Sequence, residues 1–145
     1  MMVKQSSQSA LLWLLLSFGI IYSINDAVAS DMKVDTASSK LSEKGHFQIE
    51  FTSRLDPIAL NTMHEWVLEI TSPEGKPVEN ASLSIGGGMP MHNHGLPTAP
   101  RVTQELKPGT YLLEGMKFQM GGHWTVTVDI QANDVTDIAT FNLML

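Results

Sequence analysis

Between residues 123 and 130 the chain alternates without interruption. Trp124, Val126, Val128 and Ile130 occupy one parity, and His123, Thr125, Thr127 and Asp129 the other. A repeat of two belongs to an extended strand with one buried face; it excludes a helix, whose apolar positions recur every three to four residues. The same pattern returns over 46–53, where Phe47, Ile49 and Phe51 alternate with His46, Gln48 and Glu50. It appears again over 64–71, with Trp66, Leu68 and Ile70 facing in and Glu65 and Glu69 facing out. On this reading His46 lies on the polar face in solvent.

Further strands are expected over 81–85, 101–106, 110–114 and 135–143. Each is bounded by breaker residues: Ser72-Pro73-Glu74-Gly75-Lys76-Pro77, Lys107-Pro108-Gly109 and Gln131-Ala132-Asn133-Asp134. Seven short strands with no amphipathic helix between them predict an all-β fold, a seven-stranded antiparallel immunoglobulin-like β-sandwich after an N-terminal signal peptide. It occupies residues 44–145, and residues 30–43, polar and without periodicity, read as a flexible lead-in.

The first 29 residues are set apart. Lys4 opens them, an apolar run from Ala10 to Ile21 follows, and Ala27-Val28-Ala29 matches the small-residue pattern of a signal-peptide cleavage site before Ser30. The rival reading is a retained membrane anchor. The run is broken by Ser17 and Gly19, and is short against the roughly 18–20 apolar residues a span requires. The expected location is therefore periplasmic or secreted. There is no cysteine, which excludes disulfides, thiolate chemistry and a lipidated cysteine. A formal net charge of −6 argues against nucleic acid, which calls for a basic patch.

Chemistry concentrates in Gly86-Gly87-Gly88-Met89-Pro90-Met91-His92-Asn93-His94-Gly95-Leu96-Pro97. Three glycines and two prolines predict a shaped loop rather than a long strand. Imidazole suits copper, zinc and nickel, and the soft thioether narrows the choice towards Cu(I). Met89 and Met91 are equally suited to plugging the open end of a core, with both histidines in solvent.

Topology bears on that choice. Consecutive antiparallel strands send alternate loops to opposite ends of a sandwich. The second, fourth and sixth connections are compact and carry no methionine or histidine. The first, third and fifth bring Met63 and His64, then Met89, Met91, His92 and His94, then Met116, Met120 and His123 to the other end. Gap filling accounts for the methionines but not for the imidazoles. The candidate metal ligands are therefore Met89, Met91, His92, His94, Met120 and His123, of which a real site would use three or four. His64 and His123 adjoin inward tryptophans, and each also suits an edge-of-core histidine bonded to a carbonyl.

No nucleophile sits in a recognisable triad motif, and no glycine loop opens a helix to cradle phosphate, so an enzyme is not expected. The carboxylates read as solubilising groups on strand exteriors. The new amino terminus, Ser30-Asp31-Met32, has no histidine in third position for an amino-terminal Cu(II) chelate.

The run from Gly88 to Gly95, then Lys107-Pro108-Gly109-Thr110-Tyr111, then Phe118-Gln119-Met120-Gly121-Gly122-His123-Trp124 resembles the YtkA-like family, which is similar in turn to FixH proteins. The resemblance spans about Phe47 to Ile130. It implies an exported immunoglobulin-like domain found beside copper or heavy-metal transport and respiratory oxidase assembly. The expected function is a copper chaperone, buffer or assembly accessory, with a membrane transporter, efflux adaptor or oxidase-assembly complex as partner. The alternative is a metal-free interaction module that docks through its methionine-rich end.

Overall fold

The computed structural model describes residues 33–145, so the reading of residues 1–29 as a signal peptide lies outside the described residues. Nine strands follow in order: β1 (Ser39–Leu41), β2 (Gln48–Ser53), β3 (His64–Thr71), β4 (Ser82–Met89), β5 (His94–Gly95), β6 (Arg101–Lys107), β7 (Thr110–Met116), β8 (His123–Ala132) and β9 (Val135–Met144). One sheet runs β1-β2-β3-β7-β6 and the other β5-β4-β8-β9, with every neighbour antiparallel. Without β1 and β5, the order is the four-plus-three arrangement of a constant-type immunoglobulin domain. The expected β-sandwich is the observed fold.

The alternating residues build its core. Ile49, Trp66, Leu68, Ile70 and Leu113 from one sheet and Trp124, Val126, Val128, Ile130 and Phe141 from the other are fully buried. Phe51 stacks on Trp66 with ring centroids 4.2 Å apart and meets Phe141 edge-on at 5.0 Å, joining the two layers. Fully burying a phenylalanine side chain contributes about 1.5–3 kcal/mol before chain entropy is subtracted.

The structure departs from the sequence expectation in three places. Ser39–Leu41, inside the stretch read as a lead-in, is strand β1 and pairs with β2. The lead-in is held because Asp137, 2 % exposed on β9, accepts hydrogen bonds from Ser42 Oγ at 2.6 Å and from the backbone N–H of Lys44 and His46. That carboxylate is not a solubilising group, and His46 is not simply solvated: its Nδ1 lies 3.2 Å from Asp137 Oδ2. Second, β4 does not stop at Ile85 but runs on through Gly86, Gly87 and Gly88 to Met89. A Cβ on Gly86 would stand 2.6 Å from Thr127 Oγ1, and one on Gly87 or Gly88 would collide with a neighbouring carbonyl. The glycines therefore admit close strand approach rather than a loop. Third, β5 pairs with the end of β4 and makes a hairpin of the predicted loop.

The connections sort between the two ends as expected. At one end Ile70 N–H donates to the Gly109 carbonyl at 2.8 Å, and Tyr111 O–H donates to the Val78 carbonyl at 2.6 Å. At the other, Asn61 N–H donates to the Phe118 carbonyl at 2.8 Å, joining the β2–β3 and β7–β8 connections.

Candidate functional site

The hairpin between β4 and β5 presents the candidate ligands. Its turn follows from Pro90 and Asn93. Proline fixes φ at the second position of a turn closed by the His92 N–H bonded to the Met89 carbonyl at 3.1 Å. Asn93, at φ 52°, then supplies the left-handed residue that returns the chain to β5. Met91 is carried to the tip and is 81 % exposed. His92 and His94, two positions apart, leave the turn with near-parallel rings, their centroids 6.3 Å apart and the planes inclined by 18°. Beside the hairpin lies a shallow cleft of about 320 Å³, lined by Gly88, Met89, Pro90, Asn93, His94, Gly95 and Thr125.

The two sulfurs of the Met-Pro-Met run have different surroundings. Met89 is 2 % exposed and belongs to the core, its Cε lying 2.9 Å from where a Cβ on Gly122 would be. It plugs the end of the sandwich, which is the structural role sequence reasoning had weighed for both methionines. Met91, by contrast, stands in solvent at the tip. Met120 is 39 % exposed on the β7–β8 connection, and its carbonyl accepts the Trp124 indole N–H at 3.0 Å.

His123 begins β8 on the parity opposite to Trp124, so it faces away from the core that holds Met89. Its Nε2 lies 3.0 Å from Asn142 Oδ1, within reach to donate to that amide oxygen. His64 is the edge-of-core histidine expected: it is 7 % exposed, with Nδ1 3.1 Å from the Thr62 carbonyl. The structure thus brings His92 and His94 together on the hairpin with Met91, and turns His123 and Met89 to opposite faces of their sheet.

One neighbour escaped the sequence reading. Met144, 59 % exposed, stands directly across from His123 in the β8–β9 ladder. The signal lay in the turn. Asn133 and Asp134 have φ of 49° and 64°, the two-residue reverse turn that fixes hairpin register, and counting back from it sets Met144 against His123. Among the described residues no three or more His, Cys, Asp or Glu side chains are grouped to hold a metal ion. On the hairpin the donor beside the two imidazoles is the Met91 thioether.

The YtkA-like family profile matches residues 42–129, from the buried Ser42 into β8. The chain belongs to the YtkA-like family. No curated protein matches it. Among solved structures it is similar to a DUF4426 family protein from Pseudomonas aeruginosa PAO1, at 14 % identity and a TM-score of 0.52. That match covers 73 % of this chain and 96 % of the other, and at such identity the likeness is one of fold. The ZirS C-terminal domain aligns over 99 % of this chain and 88 % of its own, at 11 % identity and a TM-score of 0.41. In this YtkA-like chain the candidate ligands fall on the β4–β5 hairpin and the β7–β8 connection, both inside the matched span.

Proposed function

We propose that this YtkA-like protein is an exported copper-binding domain that buffers the metal or hands it on, taking it through Met91, His92 and His94 with Met120 as a further thioether. The observation that carries the reading is the pairing of the two imidazoles. An imidazole bound at about 2.0 Å puts its ring centre about 3 Å from the metal, so two rings on one ion stand about 6 Å apart at most. The rings of His92 and His94 are 6.3 Å apart, close to that span, and sharing an ion requires each ring to turn so that a nitrogen lone pair, which lies in the ring plane, faces it. Neutral thioether and imidazole donors suit Cu(I), and an exposed tip suits release to another protein.

The test is Cu(I) titration of the purified protein under reducing conditions. His92→Ala combined with His94→Ala is expected to weaken binding at least tenfold. Stability should move by no more than about 0.5 kcal/mol, since both side chains are exposed. Unchanged affinity in the double variant would reject the site.

A second reading has its own observation. Leu60, Met63, Met91 and Met120 are all exposed at this end, an apolar surface suited to docking on a membrane transport or oxidase-assembly complex without metal. Absence of Cu(I) binding by the unaltered protein would favour it.

A further inference from the structure

Three buried polar side-chain atoms among the described residues have no hydrogen-bond partner: His64 Nε2, Trp66 Nε1 and Gln119 Oε1. All three belong to one corner. His64 and Trp66 are successive inward residues at the start of β3. Gln119 follows Phe118, whose ring centroid lies 5.7 Å from that of His64 and 6.3 Å from that of Trp66. Folded interiors leave few such atoms unpaired; of the three, the Trp66 N–H is a donor that needs an acceptor such as water, and His64 Nε2 is the one that can ligate a cation.

The chemistry of His64 narrows what that cation is. With Nδ1–H donating to the Thr62 carbonyl at 3.1 Å, Nε2 carries the bare lone pair, the form in which imidazole ligates a metal. Directly across the ladder from His64 stands Met116, fully buried. Residues opposed in this way have Cβ atoms about 5 Å apart. The register shifts between His64 and Trp66, and Gly115, at φ 87°, lies within the shift. Such a bulge re-aims the side chain beside it.

We propose that His64 Nε2 and the Met116 thioether form a buried site for a soft monovalent cation, Cu(I), enclosed by the rings of Trp66 and Phe118. Both donors are neutral and soft enough for this ion. A single charge keeps the cost of leaving water lower than a divalent ion would meet. Aromatic faces offset part of that cost by attracting the cation. Entry lies at the sandwich end, where Asn61 closes over the corner through bonds to the Phe118 and Gln119 carbonyls. Met63, 58 % exposed and next to His64, is placed to meet the incoming ion. This site shares no donor with the β4–β5 hairpin and does not rest on the hairpin reading.

Ag(I), a redox-inert probe for Cu(I), tests it. Purified protein carrying His92→Ala and His94→Ala is titrated by calorimetry while tryptophan emission is followed. The expected result is one equivalent bound with quenching of the indole emission. Adding Met116→Leu, which conserves volume and so keeps the fold, is expected to weaken that binding at least tenfold. His64→Asn, whose amide nitrogen stands where Nδ1 does and can still donate to the Thr62 carbonyl, should do the same. Loss of all Ag(I) binding in the hairpin variant overturns the proposal and assigns the unpaired atoms to bound water. Unchanged affinity on adding Met116→Leu overturns it too. If the hairpin variant instead binds as the unaltered protein does, while Met116→Leu alone weakens binding, the hairpin reading fails and the buried site stands.

Discussion

Asp137 holds an inward position on β9, in the same parity as Ala139, Phe141 and Leu143. Burial alone would raise its pKa, but the Ser42 hydroxyl and the backbone N–H groups of Lys44, Ile138 and His46 outweigh it and hold the carboxyl well below its usual range. A carboxylate with a depressed folded pKa contributes stability above its unfolded value, about 3.9, and that contribution is lost as pH falls towards the folded value. Asp137→Asn replaces one accepting oxygen with an amide donor that faces other donors. It is expected to cost about 3 kcal/mol, read as a lower melting temperature at pH 7. Its melting temperature should also depend less on pH below about 4 than that of the unaltered protein. Equal stability at pH 7 would show that the cage contributes nothing. The sequence reading took the carboxylates for solubilising groups on strand exteriors, although the alternation of β9 puts this aspartate on the core row. What the sequence withheld was the hydroxyl and the amides that satisfy it, supplied from residues 42–46, about ninety positions away.

The β4–β5 hairpin shows where strand reasoning stops. Period-two alternation is carried by side chains, and Gly86, Gly87 and Gly88 have none, so the pattern falls silent where β4 continues. Their meaning lies in what surrounds them. A Cβ on Gly86 meets only the Thr127 hydroxyl, which can rotate away, whereas one on Gly88 meets the His94 carbonyl, fixed in β5. Gly86→Ala is therefore expected to change stability by no more than about 1 kcal/mol, and Gly88→Ala to cost about 2 kcal/mol or more by forcing β5 outward. Thermal melts of the two variants make the comparison. Equal effects would mean that β5 does not hold the hairpin against β4. The chemistry of the loop was legible as residue types, while the split between core Met89 and exposed Met91 was not, because it depends on where β4 ends.

At the scale of the molecule, loop alternation alone placed the methionine- and histidine-bearing connections at one end, and exposure now separates the two ends. At the compact end the Ile70 N–H is bonded to Gly109, the Gly109 N–H to Glu105 at 2.9 Å, and the Ala81 N–H to the Tyr111 hydroxyl at 3.0 Å. These bonds tie β3, β4, β6 and β7 together around a tyrosine that is 2 % exposed. The other end projects a hairpin whose tip, at Met91, stands in solvent. Local opening costs little where few buried contacts are lost, and approaches the global unfolding free energy where core strands must part. Native-state hydrogen exchange should therefore find the amides of Ile70, Ala81 and Gly109 protected at least about a hundredfold more than that of Met91. Comparable protection at both ends would mean that the hairpin is as rigid as the core.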